Sequence, residues 1–553
     1  MVHDRWGITD GYHDLDGTWH PTDDGLRDRL RAAMGEPDDH SPIWFVAEHQ
    51  CPELWGPCEL ILEATGSVGT VRTLPADTPI GYHELVPADG GPSTRLVLHP
   101  TTCPEPPRAW GVAVQVYALW SAQSWGIGDL HDLRRLAERM VGAGAAALMV
   151  SPLHQPAPTL PQQPSPYYPS SRRTRNPMLL GLDVAPPAHL RCSPDALIDH
   201  DNVWIAKRAV LEAAFDAAEP VTSPGPVAIW NAMCDVHRHD PQHWPPGWRD
   251  RWGDDPEAVH RAEFHEWLQD CLDTQLDAVR ATGVTLIGDL AVGFSPDGAD
   301  ADEYHEHLAS GVKIGAPSDP FNTEGQNWGI PPFVPWRLRA AHYAPFIDTI
   351  RACLRGMGGL RIDHVMGLFR QFWLPDDGAP GEGAYVRFPA EELLAIVCLE
   401  ATRAGAFVIG EDLGTVEPGV REMLAARNIA TTRVLWFEPE PPSHWPGSAL
   451  ATVTTHDLPT IAAVFAHDGN DEQRQRLDAV APRAATAAEA IRAAHQALLE
   501  APCSLRLVTS DDLAAAERQP NLPGTNDYPS WRVRLPVPVD DLALGDVPQP
   551  TIE

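Results

Sequence analysis

Four carboxylates follow short apolar segments that recur along the second half of the chain. Asp289 and Asp363 follow LIG and LRI, and Glu411 and Asp457 follow VIG and VTTH. A single acid in such a place is explained more simply as the cap of the next helix. Its repetition in four segments favours a shared chemical role, because the carboxyl ends of barrel strands open on one face.

Arg361 lies two residues before Asp363, so both side chains project from the same face of an extended strand. The guanidinium would keep Asp363 ionised, which suits a nucleophile. A buried ion pair that only fixes the strand is the simpler alternative. Glu411 has no basic neighbour in sequence, and burial at a strand end favours the protonated form that a general acid needs.

One anionic and one protonated carboxyl group are what cleavage of a glycosidic bond requires. The anion attacks the anomeric carbon, while the acid protonates the leaving oxygen and later acts as a base. Asp457, which follows His456, has room for a third role. It could bind sugar hydroxyls whose hydrogen bonds strengthen in the transition state.

Eight short β segments alternate with amphipathic helices after residue 104. Strands that are nearly all apolar and separated by helices predict a parallel sheet covered on both faces. Eight strands predict an α/β fold of the (β/α)8 TIM-barrel type, with an open doubly wound sheet as the alternative. The segments are VAVQVYAL (112–119), AAALMVSPL (145–153), VTLIGDLAV (284–292), GLRIDH (359–364), AFVIGEDL (406–413), TRVLWF (432–437), ATVTTHDL (451–458) and SLRLVTSDD (504–512).

Residues 1–104 show a different pattern. The amphipathic run GLRDRLRAAM (25–34) predicts a helix, and the alternating segments of 42–100 predict a small antiparallel β domain. We therefore expect an N-terminal domain over 1–104 and a catalytic barrel over 105–553, with CPEPPRAWG (103–111) as the linker. Long segments at about 154–283 and 293–358 predict helical subdomains inserted into the barrel.

The bulk composition excludes some classes of protein. A formal net charge of −35 argues against binding to nucleic acid or to an anionic membrane. Nine cysteines without metal-ligand spacing predict free thiols in a reducing compartment. The N-terminus is charged and unlike a signal peptide, and no apolar run reaches the roughly 20 residues of a membrane span. We expect a cytoplasmic location.

Seven ordered motifs, within about 113–535, resemble the amylomaltase (4-α-glucanotransferase, disproportionating enzyme) family, glycoside hydrolase family 77. RIDHVMG and the N-terminal β domain resemble the bacterial subgroup that carries an N-terminal extension. The motifs are SPY (165–167) with NP (176–177), IGDL (287–290), GQNWG (325–329), RIDHVMG (361–367), GEDLG (410–414), THD (455–457) and LPGTNDYPSW (522–531).

The resemblance implies roles for individual residues. Asp363 would be the nucleophile, Glu411 the acid/base and Asp457 the stabiliser of the transition state. No metal or organic cofactor is implied. The substrate-binding residues would be Arg361, His364 and His456 at the cleavage point, Asp289 nearby, Tyr167 stacked on a sugar ring, and Gln326 and Trp328 in a loop over the cleft.

The resemblance also implies the reaction. A donor maltooligosaccharide or other α-1,4-glucan would pass a segment to the 4-OH of glucose or another glucan through a covalent glycosyl-enzyme. Two positions depart from many members of the family, with Ala291 in place of Pro and Leu458 in place of Asn. These changes leave the carboxylates intact and bear on the shape of the pocket.

Two other functions stay open at this point. One is an α-1,4-glucan hydrolase of the α-amylase type, although that clan usually carries Asn-His after its first motif Asp, and Asp289 is followed by Leu-Ala-Val. The other is a non-catalytic glucan-binding protein, which would be expected to have lost one of the three catalytic carboxylates. The sequence leaves the oligomeric state open, a homo-oligomer included.

Overall fold

A computed structural model describes residues 2–14, 17–37, 42–218, 223–239, 241–318, 324–525 and 527–548. These residues form two compact units. The first unit comprises Met1–Glu105, Tyr304–Arg355 and Ile362–Ala430. The second unit comprises Pro106–Glu303, Gly356–Arg361 and Thr431–Glu553. Asn526 of the LPGTNDYPSW motif and residues 319–323 lie outside the described residues.

The N-terminal part of the first unit contains one helix and seven strands. The helix α1 confirms the prediction for 25–34: Asp23 caps it by accepting from Gly25 and Leu26 N–H, and Leu30 and Met34 face the core. The elements are β1 (Gly11–His13), β2 (Trp19–Pro21), α1 (Asp24–Met34), β3 (Ile43–Ala47), β4 (Glu53–Leu62), β5 (Gly66–Thr73), β6 (Gly81–Pro87) and β7 (Thr94–His99).

The N-terminal sheet has the strand order β3-β7-β6-β4-β5 around a core that includes Leu60, Leu85 and Leu96. Three pairs are antiparallel, but β3 runs parallel to β7. The prediction of an antiparallel sheet is therefore wrong for β3. Alternation of apolar residues predicts a strand without its direction, and here β4–β6 form the long connection that a parallel pair needs.

Helices and strands alternate through the rest of the chain. Short 3-10 turns connect several of them. In chain order the elements are β8 (Ala109–Val114), α2 (Leu130–Gly142), β9 (Ala147–Val150), β10 (His154–Gln155), β11 (Ser171–Arg175), α3 (His200–Phe215), α4 (Pro226–His237), α5 (Trp248–Arg251), α6 (Pro256–Arg280), β12 (Thr285–Leu290), α7 (Ala299–Glu303), β13 (Val312–Ala316), β14 (Gln326–Ile330), α8 (Pro335–Ala340), α9 (Ala344–Leu354), β15 (Gly359–Ile362), β16 (Arg370–Pro375), β17 (Ala384–Arg387), α10 (Ala390–Ala404), β18 (Phe407–Gly410), α11 (Val420–Ala425), β19 (Thr431–Val434), β20 (Ala449–Thr452), α12 (Ile461–Phe465), α13 (Asp471–Val480), α14 (Ala487–Leu499), β21 (Leu505–Thr509) and α15 (Ser510–Leu513).

Eight of these strands form one sheet in the order β18-β15-β12-β9-β8-β21-β20-β19, which is chain order around a circle. Ala430, directly before β19, closes the circle through a parallel bridge to Ile409 of β18. Its carbonyl accepts from Gly410 N–H at 2.8 Å, and its own N–H donates to Val408 O at 3.0 Å. This closure confirms the (β/α)8 barrel and all eight predicted strands, and it excludes the doubly wound sheet, which has open edges.

Inserted elements follow three of the barrel strands, β9, β12 and β15. Between β9 and β12, α4 packs on α6 around Val227, Trp230 and Met233. After β12 and β15, the chain forms an antiparallel sheet in the order β14-β13-β16-β17 in the first unit. Residues 7–9 pair with its outer strand, where Thr9 N–H donates to Tyr385 O at 2.9 Å. No helix of the described residues is long and apolar enough to cross a membrane.

Candidate active site

The second unit holds a buried ion pair at the ends of β12 and β15. Arg361 Nη1 donates to Asp289 Oδ1 at 2.6 Å, and both residues are only 7% exposed. The hydroxyl of Tyr167 donates to the other oxygen, Asp289 Oδ2, at 2.7 Å. A deeply buried ion pair is favourable only if the second carboxylate oxygen also has a hydrogen-bond partner, which Tyr167 supplies here. Sequence reasoning expected Arg361 beside Asp363, which stays a prediction, and did not foresee the bond to Asp289.

Tyr167, His456 and Trp531 form an aromatic cluster in the same unit. The rings of Tyr167 and His456 stack with centroids 4.5 Å apart, and Tyr167 Oη lies 3.2 Å from His456 Nδ1. Trp531 lies against both, at 5.3 Å and 5.4 Å between centroids. The predicted motif LPGTNDYPSW contained Trp531 without a role. The contacts now connect it to two predicted substrate-binding residues.

Asp457 lies in a turn, five residues beyond the end of β20. The segment 451–458 predicted a strand that reaches Asp457, but the strand ends earlier. Asp457 Oδ1 accepts from Asn521 Nδ2 at 2.6 Å, and its Oδ2 lies 3.5 Å from His456 Nε2. Asn521 N–H also donates to His456 O at 3.0 Å. The side chain of Asp457 is 43% exposed, so it is held in position and still reachable.

Asn521 is a residue that sequence reasoning missed. It directly precedes LPGTNDYPSW, and its position next to a motif was the only available signal. Leu458 follows the THD motif and offers no amide, whereas Asn521 supplies a side-chain amide to Asp457 from another segment. Gln519 supports this segment through bonds from Nε2 to Asp457 O and Asn521 O, at 3.2 Å and 2.6 Å.

Buried acids lie after β21, the last strand of the barrel. Burial raises the pKa of Asp511 to about 7, and the charge of Asp512 adds to the effect. Burial likewise raises the pKa of Asp512 to about 6. Burial raises the pKa of the Tyr117 hydroxyl, and the charges of Asp511, Tyr528 and Asp457 add to the rise. The raised pKa of Asp511 favours its protonated form below neutral pH.

Glu411 follows β18 in the first unit and is 8% exposed. Its Oε2 accepts from His364 N–H at 2.8 Å, and its Oε1 accepts from Leu413 N–H at 2.6 Å. These two bonds fix the orientation of the Glu411 carboxyl group at the end of β18.

His364 follows Asp363 and adopts a left-handed backbone conformation with φ of 46°. Such a conformation is strained for a residue with a side chain and often marks a functional position. Burial lowers the pKa of His364 to about 4, so its imidazole is neutral at ordinary pH. Its ring meets Trp328 edge to face at 5.1 Å, and Trp328 Nε1 donates to Gln326 Oε1 at 3.0 Å.

Gln326 and Trp328 lie on β14 and not in a loop, which corrects the expectation for them. The segment GQNWG contains two glycines and an Asn, which are typical of turns. Pairing with β13 nevertheless makes it a strand, because Gly315 and Ala316 align with Asn327 and Gln326. The connection between β13 and β14 includes residues 319–323, which lie outside the described part.

The ten predicted site residues thus fall into two sets, each described within its own unit. Within the described residues, no group of three or more His, Cys, Asp or Glu side chains could hold a metal ion. The chemistry that the sets offer is that of carboxylates, neutral imidazoles and aromatic rings. The first-unit set is Asp363, His364, Glu411, Gln326 and Trp328, and the second-unit set is Tyr167, Asp289, Arg361, His456 and Asp457.

The barrel is closed, and carboxylates lie after or at the ends of its strands β12, β15, β18 and β20. This fold and these side chains define a class of enzyme that can combine a nucleophile with a general acid. Comparison with known families then identifies the group within this class. Residues 114–540 match the profile of glycoside hydrolase family 77, described as 4-alpha-glucanotransferase. The chain belongs to this family and is a glycosyltransferase acting on α-1,4-glucans.

Individual relatives agree with the family match. The chain is 38% identical to a 4-alpha-glucanotransferase of Mycobacterium tuberculosis over 84% of this chain and 77% of the relative. The amylomaltase of Corynebacterium glutamicum superposes with a TM-score of 0.85 at 27% identity, over 98% of each chain. The amylomaltase of Streptococcus agalactiae in complex with acarbose shares the fold, with a TM-score of 0.68 at 19% identity over 80% of this chain and 98% of that one.

Proposed function

We propose that the enzyme transfers glucan segments by a retaining double displacement in which Asp363 is the nucleophile. Asp363 comes directly after β15 and retains some exposure to solvent, as a nucleophile must. Its carboxylate attacks C1 of a glucose unit, and the bond to the leaving 4-oxygen breaks. A covalent glycosyl-enzyme then carries the donor segment.

Glu411 is the acid and the base of this proposal. It gives its proton to the leaving oxygen and afterwards takes a proton from the acceptor hydroxyl, so that two inversions restore the α configuration. The single observation that carries the assignment is the bonding of both carboxylate oxygens by His364 N–H and Leu413 N–H. These bonds fix Glu411 next to the backbone of the residue that follows Asp363. Retention requires the two carboxyl groups to lie about 5–5.5 Å apart in a substrate complex.

Asp457 stabilises the transition state, and Asn521 holds it in place. An ionised, hydrogen-bonded carboxylate favours the positive charge that develops on the sugar ring. Arg361, His364, His456 and Asp289 bind the sugar at the cleavage point, and the rings of Tyr167 and Trp328 offer apolar faces to sugar C–H groups. Gln326 holds the indole N–H of Trp328 and thereby its orientation.

The donors are maltooligosaccharides and longer α-1,4-glucans, and the acceptor is the 4-OH of another glucan or of glucose. Membership of the family supports transfer over hydrolysis. The cytoplasmic location stays a prediction, and the oligomeric state stays open, a homo-oligomer included.

Incubation with maltotriose tests transfer against hydrolysis. We expect glucose and a ladder of longer maltooligosaccharides, with little net gain in reducing ends. Maltose and glucose alone, with rising reducing ends, would show a hydrolase. No reaction by a folded protein would favour a glucan-binding protein.

An activated donor separates the roles of the two carboxylates. Glu411→Ala should lose activity on maltotriose by roughly 10²–10⁴-fold, the usual contribution of a general acid. It should keep the first step with α-maltosyl fluoride, seen as a burst of fluoride release, because this leaving group needs no proton. Asp363→Ala should be inactive with both donors, and Asp376→Ala, which changes a more exposed acid of the same unit, should match the wild type. An Asp363→Ala enzyme that is active with the fluoride would refute the assignment.

A further inference from the structure

Two cysteines that are 295 residues apart in sequence meet in the interior of the first unit. The Sγ atoms of Cys103 and Cys398 lie 3.6 Å apart, and the two residues are 2% and 1% exposed. All nine cysteines of the chain carry free thiols in this structure. A disulfide joins sulfurs about 2.05 Å apart, so the two Sγ atoms must move closer together to form one.

The backbone on both sides of this thiol pair is well fixed. Cys103 N–H donates to Arg427 O at 2.8 Å, and Asn428 Nδ2 donates to Cys103 O at 3.4 Å. Cys398 lies in the middle of the helix α10, on its buried face. Residue 103 was predicted to begin a linker, yet it is held against the rest of its unit. The backbone hydrogen bonds of Cys103 and the helix α10 therefore hold the two sulfur atoms close together.

We propose that Cys103 and Cys398 are a redox modification site at which a peroxide converts the two thiols into a disulfide. The site has no part in the glycosyl transfer described above. The site lies at the end of the N-terminal segment. A disulfide there would join this segment to α10, the helix that precedes β18 and Glu411.

The reaction balances with hydrogen peroxide as the oxidant. The Cys398 thiolate attacks one peroxide oxygen, the O–O bond breaks, and a sulfenic acid and hydroxide form. Cys103 then attacks the Cys398 sulfur, the S–S bond forms, and the sulfenic oxygen leaves as water. Overall, two thiols lose two electrons and two protons, and one peroxide becomes two waters.

The surroundings favour Cys398 as the thiol that reacts first. The hydrogen bond from the Cys103 thiol lowers the pKa of Cys398, burial opposes this, and the charge of Arg427 adds to the lowering. The same hydrogen bond, together with burial, raises the pKa of Cys103. A thiolate is the reactive form of cysteine, so the order of attack follows from this difference.

The disulfide would stabilise the enzyme. It would close a loop of 295 residues, and the loss of chain entropy in the unfolded state grows with the length of the loop. Both cysteines belong to one unit, so the cross-link acts on the folding of that unit. We expect oxidation to raise the midpoint of thermal unfolding by roughly 2–5 °C, and dithiothreitol to reverse the rise.

The experiment treats the full-length folded protein with hydrogen peroxide, blocks the remaining thiols with iodoacetamide and maps the peptides by mass spectrometry. The expected result is a cross-linked peptide pair that contains Cys103 and Cys398. Cys398→Ala should abolish both the cross-link and the shift in melting. Cys58→Ala, which changes another fully buried cysteine of the same unit, should keep both.

The proposal fails if Cys103 and Cys398 are recovered as separate alkylated thiols after the exposed Cys51 has been oxidised. It also fails if Cys398→Ala shows the same oxidant-dependent shift in melting as the wild type. Should Cys398→Ala not fold, the comparison of oxidised and reduced wild-type protein decides the question alone.

Discussion

Asn521 donates its side-chain amide to Asp457 at 2.6 Å, although 64 residues separate them. The same residue also binds the backbone carbonyl of His456. The amide bond fixes one oxygen of Asp457, while the side chain stays partly exposed. This relationship leads to the first of four predictions.

Asn521→Leu should lower kcat by about 10–100-fold with a small change in stability, because the unanchored carboxylate no longer lies where charge develops. Measurement of kcat and KM on maltotriose checks this. Asn202→Leu breaks a similar amide bond of 2.7 Å, to Asp199, at an exposed helix start and serves as the control. Equal activities of the two variants would contradict the role of Asn521.

Tyr167 and Asp289 should act as one unit in catalysis, since the Tyr167 hydroxyl donates to Asp289 Oδ2 at 2.7 Å. Tyr167→Phe and Asp289→Asn should each reduce kcat/KM. The free-energy cost of the double variant, calculated from kcat/KM, should be smaller than the sum of the costs of the two single variants. We expect a coupling free energy of about 1–2 kcal/mol. Tyr167→Phe combined with Asp377→Asn, an exposed acid, should be additive. Additivity of the first pair would show that the bond does not contribute to the transition state.

Asp511 should make the enzyme less stable as pH rises. Burial raises its pKa from 3.8 to about 7, so the folded protein holds an extra proton between these values. The contribution to stability is complete below about pH 4 and is lost as pH rises through about 7. The variant Asp511→Asn mimics the protonated acid. It should therefore remove a pH dependence of the free energy of unfolding that is on the order of 3 kcal/mol.

Urea unfolding at about pH 5 and about pH 8 measures this difference. The free energy of unfolding of the wild type should fall relative to that of Asp511→Asn between the two pH values. Asp377→Asn should follow the wild type. If the free energy of unfolding changes equally with pH in Asp511→Asn and in the wild type, the raised pKa of Asp511 is ruled out.

A small cavity in the second unit should hold an ordered water. It has a volume of ≈ 20 Å³ and is lined by residues that include Tyr117, Ser165, Asn176 and His200. Among the described residues, the Tyr117 hydroxyl and His200 Nδ1 are buried without a hydrogen-bond partner, and both side chains belong to the lining of the cavity. A site of this size that offers polar groups suits a water molecule. A high-resolution crystal structure that shows the cavity empty would contradict the prediction.

The variant Tyr117→Phe gives the energetic test of the same cavity. With a water bound to the hydroxyl, removal of the hydroxyl should cost about 1 kcal/mol of stability. Without the water, Phe would relieve an unpaired buried group and stabilise the protein. The sign of the change in the free energy of unfolding thus distinguishes the two states.

The sequence by itself determined the barrel and the order of its acids. Each of the eight strands is a short apolar segment between helices, and such patterns depend on residues that are neighbours in the chain. Asp363 and Glu411 follow their strands directly, so their positions at the strand ends were predictable from the same local pattern. The helix α1 was predicted for the same reason.

Only the tertiary structure decided which side chains meet. Arg361 bonds to Asp289, 72 residues away, and Asn521 bonds to Asp457. The parallel pairing of β3 with β7 and the placement of Gln326 on a strand were also decided by packing. Contacts of this kind depend on the path of long connections and on the packing of distant elements, which the periodicity of a short segment does not contain.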